Sequence, residues 1–150
     1  MVARLSSSRV NGEPDPSLSF GIENLECPIK PRLEADLYIE AFGSRITRPR
    51  NAKYGLMIED LQLLVSWLSQ YLGRVTEVHK PFYTMEPAFA LKFSPVSGDA
   101  TEVSARLQAY GTVDMYFVEE TGPAIIFETT NQTIATFRQQ LIEETILLVK

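Results

Sequence analysis

Few side chains in these 150 residues can make or break bonds, and their spacing decides what they can do. His79 is the only histidine and Cys27 the only cysteine. A thiolate nucleophile needs a base within hydrogen-bonding reach, so Cys27 with His79 is the one such pair on offer. Cys27 stands directly before Pro28, which reads as an inert, partly buried thiol. A metal held by His79 would need carboxylates alone to complete its shell, and Glu77-x-His79 matches no recognised ligand spacing. The adjacent acids Glu59-Asp60, Glu119-Glu120 and Glu143-Glu144 invite comparison with glycoside hydrolysis, where two carboxylates flank one bond. Sequence neighbours point in different directions, so these pairs read as helix-start charge, a polar turn and a solvated helix face. There is no glycine-rich phosphate loop, Gly-x-Ser-x-Gly elbow or paired-cysteine motif. The chain is therefore expected to be no enzyme, with no catalytic residue, metal or cofactor. An enzyme working through Cys27 or the acidic pairs is the rival that Cys27→Ala or carboxylate-to-amide changes would expose.

Binding chemistry is better represented. From Leu33 to Ala41 the sequence alternates, with Leu33, Ala35, Leu37, Ile39 and Ala41 on one face and Glu34, Asp36, Tyr38 and Glu40 on the other. Three negative charges flanking a tyrosine form a surface that would steer a basic partner and anchor it. Asp114, Tyr116, Glu119 and Glu120 make a second acidic group with one aromatic. Leu63 and Trp67 lie opposite the main apolar stripe of their helix and need a cover, either within the chain or in a homodimer.

These groups are positioned by elements that the pattern predicts. Residues 1–17, with three serines and then Asn11-Gly12-Glu13-Pro14-Asp15-Pro16, read as a flexible arm ahead of an 18–150 domain. A first strand is expected over Leu18–Asn24, interrupted at Cys27-Pro28-Ile29-Lys30-Pro31 because proline cannot donate to a ladder. Phe42-Gly43-Ser44 turns the chain into a short basic strand over Arg45–Arg50. Met57, Leu61, Leu64, Leu68 and Leu72 share a helical face, and Gly73 is the stop signal. Strands follow at Arg74–Val78, Ala88–Ser94, Glu102–Tyr110, Val113–Val118 and Ala124–Thr129. A closing helix over Gln132–Val149 is capped by Thr130 or Asn131 and repeats Ile134, Phe137, Leu141, Thr145 and Leu148. Grouped strands with two helices predict an α+β fold: an antiparallel sheet of about six to seven strands, one helix mid-chain and one at the C-terminus.

Composition narrows the class of partner. The chain is 45% apolar and 22% charged, ordinary for a packed domain of this size. With 14 basic against 19 acidic residues the net charge is -5, which disfavours nucleic acid and favours a basic protein. One cysteine excludes an internal disulfide, and neither a signal peptide nor an apolar span is apparent, so a cytoplasmic location without membrane association is expected.

Gly55-Leu56-Met57-Ile58-Glu59-Asp60-Leu61 through Trp67-Leu68, then Tyr83-Thr84-Met85-Glu86-Pro87-Ala88-Phe89-Ala90-Leu91-Lys92-Phe93, then the helix after Thr130, resemble the WapI family of bacterial immunity proteins. The likeness spans roughly residues 18 to 149. The serine-rich arm and Pro28 and Pro31 depart from it. It implies a non-enzymatic cytoplasmic protein that binds and neutralises a cognate basic toxin domain, such as a nuclease, as a monomer or homodimer. The partner-binding set read from the residues is Glu34, Asp36, Tyr38, Glu40, Asp114, Tyr116, Glu119 and Glu120. The alternative is a small-ligand-binding or adaptor domain that uses a concave sheet face.

Overall fold

The computed structural model describes residues 2–8, 13–50, 55–73, 79–108 and 122–148. Along them run β1 (Val2–Ser8), β2 (Pro14–Ile29), β3 (Arg32–Ala41), β4 (Ser44–Arg48), β5 (Leu56–Met57), α1 (Ile58–Leu72), β6 (Phe82–Tyr83), β7 (Phe89–Ser97), β8 (Ala100–Leu107), β9 (Ala124–Thr130) and α2 (Asn131–Leu148). The fold is α+β, with one helix mid-chain and one near the C-terminus. Its strands divide between two antiparallel sheets. In the first sheet β1 to β4 are neighbours in sequence order and β5 also pairs β3; the second runs β6, β7, β8, β9.

β3 takes its form from its alternation, burying Leu33, Ala35, Leu37 and Ile39. The turn into β4 has two residues, Phe42 and Gly43, with φ of 50° and 86°. Positive φ at both positions matches the twist of the flanking strands, and it sets Ala41 opposite Ser44 and Glu40 opposite Arg45.

Two expectations about the N-terminal region are overturned. Part of the stretch read as a flexible arm is strand: β1 pairs β2 and buries Ala3 and Leu5 in the core. Its serines are tolerated because their polar groups are bonded. Ser7 Oγ donates to the Asp15 carbonyl (2.7 Å), and the Ser6 carbonyl accepts from Thr129 Oγ1 (2.7 Å). Nor does Cys27-Pro28 interrupt β2, which continues to Ile29 with irregularities between Glu23 and Glu26 and between Glu26 and Ile29. Those irregularities release the ladder locally, so a proline there removes no required bond.

α1 starts where the Asp60 carboxylate accepts the backbone N–H of Met57 (2.8 Å), and its other oxygen accepts that of Met85 (2.8 Å). One side chain thus caps the helix and pins the loop before β7. Leu61, Leu64, Leu68 and Tyr71 are buried. Trp67 is covered within the chain, with its ring centroid 4.6 Å from that of Phe93 and 5.9 Å from that of Phe82, and its Nε1–H donates to the Lys80 carbonyl. Leu63 remains exposed. α2 is capped by Thr130 Oγ1, which accepts the Thr133 N–H, and it buries Ile134, Phe137 and Leu141. Gln140 of α2 accepts the Arg4 N–H, so the helix lies along β1.

Among the described residues, the buried apolar side chains other than Tyr38 form one cluster. Phe20 of β2 joins its parts, lying 5.1 Å from Phe89 and 6.3 Å from Phe137. Arg48 at the end of β4 crosses between the sheets, donating from Nε to the Gln108 carbonyl and from Nη2 to the Pro87 carbonyl, each at 3.0 Å. Burial pulls its guanidinium down to about 10. The expected strands at Arg74–Val78 and Val113–Val118 lie outside the described residues. No helix among the described residues is long and apolar enough to cross a membrane.

Candidate functional site

Glu34, Asp36, Tyr38 and Glu40 share the outer face of the first sheet, as their alternation requires. The pairing adds residues that the pattern of β3 alone did not show. Glu34 stands opposite Glu26, Asp36 opposite Glu23, Tyr38 opposite Gly21 and Glu40 opposite Ser19. Like charges directly opposite repel across a ladder, so this face needs cations to hold it. Arg45 and Arg50 supply them.

Arg45 donates from Nε to Glu40 Oε1 and from Nη1 to Glu23 Oε2, both at 3.0 Å. Burial opposes its charge, yet the hydrogen bonds of Glu40 and Glu23 prevail and raise the guanidinium above its usual value. Arg50 serves the other end. Its Nη2 donates to the Asn24 carbonyl (2.7 Å), and its guanidinium lies 3.3 Å from Glu26, 3.4 Å from Asp36 and 3.8 Å from Glu34. Asn24 has a φ of 53° and its side-chain amide donates to Asp36 (2.7 Å), so the irregularity in β2 itself joins the network.

Tyr38 departs from expectation. Its alternation with acids predicts an exposed anchor, but it is fully buried. The reason lies on β2, where Gly21 has no side chain and the Tyr38 ring occupies the space a Cβ would fill. Arg45 lies over the ring, 3.8 Å from its centroid, and Arg4 Nε donates to the phenolic oxygen at 2.9 Å. Tyr38 is thus the packed floor of the face, and what a partner would meet is carboxylate and guanidinium.

Five carboxylates (Glu23, Glu26, Glu34, Asp36 and Glu40) against four guanidiniums (Arg4, Arg45, Arg50 and, by the alternation of β3, Arg32) leave this face net negative by one charge. Glu26 and Glu34 are the open ones, with side chains 69% and 46% exposed. Each carboxylate has about four acceptor positions, and the internal pairs leave several of them free. The hairpin turn was a signal that could have found Arg45, because a two-residue loop at Phe42-Gly43 places it opposite Glu40. The role of Gly21 could be inferred only after β2 and β3 were in register.

Asp114, Tyr116, Glu119 and Glu120 lie outside the described residues. Cys27 is half-buried against the core, and the His79 ring lies 4.9 Å from that of Tyr71. Among the described residues, no three of His, Cys, Asp and Glu gather where they could hold a metal ion. Comparison of the chain with protein-family models, with curated proteins and with solved structures finds no match.

Proposed function

We propose that this chain is a non-enzymatic binding protein of the immunity type, and that it receives a basic toxin domain on the outer face of the first sheet. The observation that carries this reading is the surplus of carboxylate on a face already fixed by Arg45 and Arg50. A preformed acidic surface raises the rate of encounter with a cationic partner, by up to about a hundredfold or more at low salt over a neutral one. Glu23, Asp36 and Glu40 are held by hydrogen bonds, so little of their side-chain freedom remains to be lost on engagement, while Glu26 and Glu34 stand open to the partner. The toxin class comes from the resemblance of residues 55–68, 83–93 and the last helix to immunity proteins. Occlusion of the partner's own active site is the mode of action.

The test begins with the gene neighbourhood. A toxin domain encoded beside this chain should be inhibited stoichiometrically by it, and the inhibition should weaken in Glu26→Lys/Glu34→Lys. Unimpaired toxin activity at excess of the wild-type chain would contradict the proposal.

A further inference from the structure

The outer face of the second sheet has a cationic end, where Lys92 and Arg106 lie, and an acidic end, where Glu102 and Glu128 lie. Register places Tyr83, Ala90 and Arg106 in one row across β6, β7 and β8, and Lys92, Ser104 and Ile126 in the next row across β7, β8 and β9. Ala90 and Ser104 are small and make a floor, while Tyr83, Lys92 and Arg106 stand around it. Together with Pro81 they line an open cleft of about 240 Å³. A cavity of about 150 Å³ holds a benzene ring, so this one takes a single ring with one substituent.

The cations at its rim are available. Arg106 Nη1 donates to the Gly122 carbonyl at 2.6 Å, which orients the guanidinium. Among the described residues no carboxylate lies within ion-pairing distance of Arg106 or Lys92. Glu102 and Glu128 face each other one row further on, outside the cleft lining. In a chain of net charge -5, whose Arg45 and Arg50 are held by carboxylates, two such cations over one cleft are a local reversal of sign.

Lys92 and Arg106 are diagonal neighbours, about 7–8 Å apart at their bases, and long side chains from those positions converge on one anionic group. Arg presents a fork that takes two oxygens of a phosphate and Lys a point charge for a third, with the Ser104 hydroxyl at the floor. Tyr83 is 41% exposed and offers a ring face or edge to a flat group. We infer that this cleft binds a small phosphate monoester bearing one ring, with Arg106 and Lys92 on the phosphate and Tyr83 against the ring. This site is on a different sheet from the acidic face and does not depend on it.

The experiment is a titration of the full chain with phenyl phosphate, followed by backbone amide shifts. Saturable shifts confined to β6, β7 and β8 are expected, with affinity falling about tenfold in Lys92→Gln and in Arg106→Gln, unchanged in Lys30→Gln and in Glu26→Lys/Glu34→Lys, and weaker for benzoate. Lys92 is exposed, so its variant tests the site even if Arg106→Gln perturbs folding. Absence of saturation, equal shifts in Lys92→Gln, or benzoate binding as tightly as phenyl phosphate would overturn the assignment.

Discussion

The guanidinium of Arg45 lies 3.8 Å from the centre of the Tyr38 ring, and the ring lies over Gly21 on the neighbouring strand. Glycine at 21, tyrosine at 38 and arginine at 45 thus form one stack across β2, β3 and β4. A methyl group at position 21 would collide with the ring. Gly21→Ala should therefore cost about 1–3 kcal/mol in denaturant unfolding. In the double variant with Tyr38→Ala the loss should fall short of the sum of the single losses, because the collision disappears. Strict additivity would contradict the stack.

Arg50 holds Glu26, Glu34 and Asp36, which otherwise repel across the ladder. The pairs are partly solvated, so Arg50→Gln should lower stability by only about 1 kcal/mol, and by less in ~1 M salt, where repulsion is screened. The same change leaves the face more negative and should quicken capture of a basic partner. Slower capture at unchanged fold would count against the acidic face as the docking surface.

Asp60 gives the chain a pH dependence whose sign follows from its burial. Burial pushes its carboxyl above the usual value of 3.8, against the pull of the Met85 and Met57 amides, with Glu59 and Glu86 adding to the rise. A raised folded value means the protonated form is favoured by the fold. Its contribution is complete below 3.8 and is lost as pH rises through the raised value. The stability of wild type relative to Asp60→Asn should thus be greatest near about pH 3 and decline towards about pH 7. A difference that is flat across that range in urea unfolding, or that grows with pH, would be inconsistent with this.

Arg48 reaches the Gln108 and Pro87 carbonyls from the end of β4. Lysine has no planar fork and cannot serve both at this geometry, so Arg48→Lys should lower stability by about 2–3 kcal/mol. Thermal unfolding within a degree of wild type would remove this residue from the account of how the sheets are joined.

Much of the fold was legible because single elements announce themselves. The alternation at 33–41, the Phe42-Gly43 turn, the leucines of α1 and the Thr130 cap all act locally, and the structure has each of them. The strand at Val2–Ser8 was not legible, because serine is a poor strand signal until Asp15 and Thr129 are in place to bond with it. The division into two sheets depends on contacts such as Phe20 with Phe89, which no local period reveals. At the candidate site the shared face of Glu34, Asp36, Tyr38 and Glu40 could be read from one strand. The burial of Tyr38 could not, since it depends on a glycine on another strand.

The most direct measurement is the association rate of the chain with the toxin domain encoded beside it, followed across ionic strength for wild type and for Glu26→Lys/Glu34→Lys. Wild type should associate faster as salt is lowered, and the variant should lose about tenfold or more of that rate at low salt while remaining folded. Identical rates and identical salt dependence in the two proteins would show that the outer face of the first sheet is not where the partner is received.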